Sequence, residues 1–160
     1  MPIDHNKSLV RRYFEEAPNH PEIYDEILAS DFRVTAIHHA TINPQGEESG
    51  AAPFKSAAIW LKSVWYEGQI TVNEMVAEDD RVVAHWTFRG THAGEIFGIP
   101  PTGKEVTYSG INIFRIADNK LAESWDIFDR LWLWQQLDVL PDTGEFLATA
   151  RKARLHQPDN

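Results

Sequence analysis

After Gly68 the texture of the chain changes, and this change limits the folds open to it. "ITVNEMVAE" (70–78), "RVVAHWTFRGTH" (81–92), "KEVTYSGINIFRIA" (104–117) and "KLAESWDIF" (120–128) are rich in β-branched and aromatic residues. Such residues pack well on a pleated surface, so each run reads as a strand. Asp79-Asp80 and Asp118-Asn119 sit where tight hairpin turns would join the runs. The link between the second and third runs, "AGEIFGIPPTG", has three glycines and a Pro-Pro pair and reads as a structured loop.

The first third reads as helical. Leu9, Val10, Tyr13 and Phe14 recur at helical spacing between Lys7 and Glu16, with Asn6 or Asp4 as the cap and Pro18 as the stop. A short helix is expected after Pro21, with Ile23, Tyr24, Ile27 and Leu28 facing inward. "DFRVTAIHHATI" (31–42) reads as a strand, "NPQGEESGAAP" (43–53) as a loop, and Pro53 to Trp65 as a third helix. "DRLWLWQQL" (129–137) is a short amphipathic helix that Pro141 ends, leaving a polar, weakly helical tail. The expected organisation is one domain over residues 1–140 and a tail over 141–160. Helices followed by antiparallel strands make an α+β fold. The expected form is a cone-shaped α+β barrel, its curved mixed or antiparallel sheet wrapped around N-terminal helices and enclosing a pocket.

Charge and composition exclude several functions. The formal net charge is −9 and no dense Lys/Arg run occurs, so neither nucleic acid nor an anionic membrane surface is an expected partner. The absence of cysteine removes disulfides, thiolate nucleophiles and Cys-ligated metals. No stretch resembles a secretory signal or approaches the roughly 20 apolar residues of a membrane span, so a cytoplasmic location is expected.

Strand periodicity of two assigns faces. Ser124, Asp126 and Phe128 share one face of the last strand, Asn112 and Phe114 one face of the strand before it, and Trp86 and Phe88 one face of "VVAHWTFRG". One consistent arrangement gathers Asp126, Asn112, Trp86, Phe88 and Phe128 around an interior of few polar groups and many rings, the usual make-up of a ligand cavity. Asp129, immediately before a helical run, is the better capping residue, which frees Asp126. Glu123 is expected to face solvent or pair with a strand neighbour.

The stretch from Arg81 to Leu137 resembles the SnoaL-like polyketide cyclase family, within the superfamily named after nuclear transport factor 2. "WTFRGTHAGEIFGIPPTGK" carries the resemblance most specifically. "FRIADNKLAESWDIFD" is similar to the family's final hairpin, with Asn119 where glycine is usual, and "NKSLVRRYFEE" fits its first helix. The resemblance implies a homodimer formed largely through the sheet, no metal and no organic cofactor. It also implies ring closure of a polyketide by intramolecular aldol condensation, with the family's acid/base aspartate at Asp126. A pocket histidine of those cyclases falls on Asn112, which can donate a hydrogen bond but does not titrate.

A carboxylate among Trp86, Phe88 and Phe128 is expected to have a raised pKa and to shuttle a proton at neutral pH. Asn112 is the expected donor to the enolate oxygen, with Ser124 and Tyr108 as lesser candidates. His38 and His39 are adjacent on an expected strand, so only one of them can face the cavity; His38 is carried as a candidate beside the alternative of a structural or surface histidine. His92 is placed either at the pocket mouth or holding loop backbone. No histidine pair has metal-ligand spacing. Two other readings compete: a non-catalytic small-molecule binding protein, and an epoxide hydrolase or dehydratase. Hydrolysis would favour an Asp–Arg–Asp grip on water, but Arg89 and Arg115 fall on the face opposite Asp126.

Overall fold

The computed structural model describes residues 3–36 and 49–155. Strands β1 (Leu28–Ala36), β2 (Trp65–Glu78), β3 (Arg81–His92), β4 (Glu105–Ala117) and β5 (Lys120–Phe128) form one sheet in the order β1-β5-β4-β3-β2. The last four strands meander antiparallel, while β1 runs parallel to β5 along the sheet's edge. The mixed sheet and the helices on its inner face make the expected α+β fold.

Helix α1 (Ile3–Arg11) runs on into a π-helical turn (Arg12–Glu16), and α2 (Ile23–Ile27) leads into β1. Neither Asp4 nor Asn6 caps α1, because the helix already includes both. Asn6 is instead buried, and its Nδ2 donates to the Asp79 carbonyl at 3.1 Å, tying the helix to the β2–β3 turn. Leu28, expected on a helix, opens β1 and is still buried.

Helix α3 (Ala52–Val64) has proline in its first turn, where the missing N–H costs nothing, and ends one residue before the expected Trp65. Trp65 opens β2, so this strand begins well before the expected Ile70. Gly68 lies inside the strand where the register shifts between Tyr66 and Gln69, and glycine suits the position because a Cβ there would meet Trp65 Cβ at 2.9 Å. The β4–β5 hairpin turns through Asp118 (φ 50°) and Asn119 (φ 61°), the left-handed pair that matches strand twist.

The core lies between α1, the π turn and the sheet, around Val10, Phe14, Ile27, Phe32, Val82 and Phe114. Burying each of these large apolar side chains stabilises the fold by roughly 1.5–3 kcal/mol. Helix α4 (Arg130–Gln136) buries Leu133, and the Oδ1 of Asp129 accepts from the Trp132 N–H at 2.9 Å, the expected cap. Trp134 packs on the core while Trp132 is exposed. Beyond Pro141, α5 (Thr143–Leu155) is a regular helix whose described side chains are all exposed. Among the described residues no helix is long and apolar enough to cross a membrane.

Candidate active site

The register of the three central strands builds the site. Ala84, Asn112 and Asp126 are level across β3, β4 and β5, as are Trp86, Gly110 and Phe128. Val82, Phe114 and Ser124 form a third level, and Phe88 and Tyr108 a fourth. All of these residues share the inner face, as the alternation predicts. The opposite face carries the ion pairs of Arg89 with Glu105 and of Glu123 with Arg115 and Arg33. Both arginines of the hydrolase reading are therefore engaged away from Asp126.

Asn112 is 5% exposed and bonded at both ends of its amide. The Trp86 Nε1 donates to its Oδ1 at 2.7 Å, and its Nδ2 donates to Ser124 Oγ at 2.9 Å. An indole N–H can only donate, so the atom facing it is the amide oxygen and the orientation of Asn112 is fixed. Gly110 makes this arrangement possible: a Cβ there would lie 2.3 Å from Trp86 Cζ2. A strand glycine thus gives the indole the space beside β4.

Asp126 is half-buried, and its carboxyl is raised above the ordinary carboxylate value. Loss of solvation is the main cause; the positive charge of Arg130 and a backbone hydrogen bond oppose it. The Arg130 guanidinium lies 4.6 Å from the Phe128 ring centre, in cation–π range. A cleft of about 590 Å³ runs where β5 passes into α4. Asp126, Gly110, Phe128 and Arg130 line it together with the outward-facing Ile111 and Ile127. Asp126 thus stands where the packed ring interior meets open space.

The aromatic wall is continuous. Phe88 and Tyr108 are 5.0 Å apart, Tyr108 and Phe128 5.6 Å, and Trp86 and Phe128 6.3 Å. Burial pushes the Tyr108 phenol up, so it stays protonated. Phe114 and Ser124 are fully buried and back the wall. His92 is also fully buried, eight residues along β3 from Ala84. Its Nδ1 accepts from the Thr102 N–H at 3.2 Å, holding the loop as one sequence expectation had it. Burial lowers its pKa. His38 and His39 lie outside the described residues.

Tyr13 packs against the core from the helical side, as its helical spacing predicts. It sits in the π turn, opposite the sheet, with its ring 5.2 Å from Phe114 and 5.1 Å from Phe14. Burial raises its phenol well above the usual value, and the neighbouring Tyr24 and Asp126 add to the shift. Among the described residues no group of three or more His, Asp or Glu side chains could hold a metal ion.

Comparison with known proteins agrees with this architecture. The chain is 30% identical over 133 residues to the aklanonic acid methyl ester cyclase DauD of Streptomyces sp. (strain C5), spanning 81% of this chain and 79% of that protein. It is 31% identical to the aklanonic acid methyl ester cyclase DnrD of Streptomyces peucetius, over 63% of this chain and 74% of that one. The solved structure of TsrD from Streptomyces laurentii superposes with a TM-score of 0.75 at 30% identity, covering 88% of this chain and 99% of that one. The family model described as SnoaL-like polyketide cyclase matches residues 8–137, from within α1 to the end of α4, a span that carries the inward aspartate and its ring wall, and the chain belongs to that family.

Proposed function

We propose that the protein is an acid–base enzyme that needs no cofactor and cyclises or isomerises a ketone-bearing small molecule, with Asp126 as the proton carrier. The observation that carries this reading is a carboxyl on the inner face of the last strand, held partly out of water beside an aromatic wall and opening on a cleft. Ionised Asp126 takes a proton from the carbon next to a carbonyl, and the electron pair moves to the carbonyl oxygen as an enolate. That carbon then bonds to a second carbonyl carbon of the same molecule, whose oxygen receives the proton back from Asp126. The product is an isomer of the substrate, so no co-reactant is consumed. Ring walls that hold the two carbonyls close supply much of the acceleration. The similar aklanonic acid methyl ester cyclases support a substrate that carries an ester beside the ketone.

The test is proton exchange. In D2O, 2-tetralone exchanges its acidic α-hydrogens through an enolate, and proton NMR follows their loss. The wild-type protein is expected to accelerate this exchange, and Asp126→Asn to lower the acceleration by roughly 10²–10⁴-fold, the usual contribution of a positioned acid/base. An Asp126→Asn protein that exchanges as fast as wild type overturns the reading.

A further inference from the structure

Proton abstraction next to a carbonyl leaves a negative charge on oxygen, and a donor aimed at that charge is often the largest single contribution to such a reaction. The inner face offers little. The Trp86 N–H is committed to Asn112 and Asn112 to Ser124, in a chain of bonds that burial closes off. Among the described residues that line the cleft beside Asp126, Arg130 alone carries a permanent positive charge.

We infer that the Arg130 guanidinium holds the enolate oxygen of the bound substrate as Asp126 takes the proton; this rests on the acid–base reading of the same site. Arg130 follows Asp129, the cap of α4, and its side chain turns back over the end of β5, with the guanidinium carbon 4.6 Å from the Phe128 ring centre. Phe128 follows Asp126 on the inner face of β5, so cation and base stand at one side of one strand, both half-buried, with the ring beside them. A guanidinium over an aromatic face keeps N–H groups at its edge, where they can meet an oxygen. The other titratable groups of the cleft are placed differently. His85 is on the outer face, level with Ile111, and the Asp129 carboxylate accepts from the Trp132 N–H.

The charges favour this pairing. Before the step the cleft holds a carboxylate and a guanidinium; after it, a neutral carboxyl, an enolate and the same guanidinium. The negative charge crosses the cleft without losing its cation, so no unpaired charge forms in a site partly removed from water. The guanidinium keeps its own proton throughout, so it steadies the oxyanion without acting as a second acid.

The test separates anion binding from an effect on Asp126 alone. 2-Naphthoate is a planar oxyanion, and methyl 2-naphthoate has the same rings and no charge. Both are titrated into Asp126→Asn, which lacks the carboxylate that would repel an anion, with quenching of tryptophan fluorescence as the readout. The anion is expected to bind roughly 10–100-fold more tightly, the usual strength of hydrogen bonds to a charged group. Asp126→Asn/Arg130→Met is expected to lose that preference and keep its affinity for the ester. With Asp126 intact, Arg130→Met is expected to lower the high-pH plateau of 2-tetralone exchange about 10²-fold, mainly through kcat, and Arg130→Lys to recover part of it. An arginine acting only on Asp126 would move the midpoint of that profile upward when removed and leave the plateau in place. An unchanged plateau therefore overturns the assignment, as does an Asp126→Asn protein without the anion preference or a double variant that keeps it. Loss of both affinities in the double variant marks a wall residue and overturns it too. If Asp126→Asn exchanges as fast as wild type while the anion preference depends on Arg130, the base assignment fails and the oxyanion site stands.

Discussion

The indole of Trp86 and the amide of Asn112 are joined by a buried 2.7 Å hydrogen bond that runs diagonally between neighbouring strands, because Trp86 is level with Gly110 and not with Asn112. Asn112→Leu removes the acceptor of the indole and the donor to Ser124 together. Each polar group left buried without a partner costs roughly 1–3 kcal/mol. Urea unfolding of Asn112→Leu is expected to show a loss in that range or above it, whereas Ser124→Ala, which removes only an acceptor, is expected to lose less. Equal stabilities for both variants and wild type would show that the chain of bonds is not formed.

Gly110→Ala tests the space that the indole occupies. The new methyl would lie 2.3 Å from Trp86 Cζ2 and 2.8 Å from Phe128 Cβ, so the rings must move. Overpacking of this kind costs typically about 1–3 kcal/mol. The near-ultraviolet circular dichroism of the tryptophans is expected to change with it, as the indole leaves its fixed orientation.

The sign of a pH effect follows from Asp126. Its carboxyl is raised in the folded protein, so the native state holds the proton to higher pH than the unfolded chain does. Its contribution to stability is therefore greatest below the ordinary carboxylate pKa and falls as pH rises through the folded one. Asp126→Asn is expected to match wild type in melting temperature at low pH and to exceed it at neutral pH. A gap that is constant with pH would rule out the raised carboxyl. Arg130→Met, which removes the opposing charge, is expected to widen the gap between Arg130→Met/Asp126→Asn and Arg130→Met alone.

Asp129 has a separate, local role. Its Oδ1 satisfies the Trp132 N–H at the start of α4, so Asp129→Ala is expected to cost about 1 kcal/mol. Tetralone exchange is expected to be retained in this variant, which separates the two neighbouring acids experimentally.

The outer side of the sheet carries exposed Ile111 (43%) and Ile127 (38%), level with one another on β4 and β5. Contiguous apolar surface of this sort marks contact sites, and it predicts a homodimer through this face. Sedimentation at micromolar concentration is expected to show a dimer that Ile111→Asp/Ile127→Asp converts to monomer. A wild-type monomer at that concentration would leave the face without this role.

The inner and outer faces of β3, β4 and β5 were legible because no bulge disturbs the Gly110–Asn112–Phe114 and Ser124–Asp126–Phe128 alternation where those residues pair. Asp129 was legible as a cap from its position alone. The π turn that carries Tyr13 was not, because helical spacing of apolar residues does not distinguish such a turn from a continuous α-helix. The Trp86–Asn112 bond was hidden for a related reason: parity places both side chains on one face, but their meeting depends on rotamers and on the space left by Gly110. The early start of β2 escaped because Gly68 reads as a boundary, while in the sheet it marks a shifted register.

The diagonal course of the Trp86–Asn112–Ser124 bonds has a consequence for how the sheet finds its alignment. A slip of one residue between strands would turn the apolar side chains outward and is penalised by burial alone. A slip of two keeps every side chain on its proper face, and alternation of apolar and polar residues does not oppose it. The three linked side chains do, since they connect β3, β4 and β5 at fixed offsets and lose their partners if any one strand moves by a pair of residues. They act as a key that admits one pairing of the central strands, so a sheet lacking them would be free to settle with Asp126 level with the wrong neighbour.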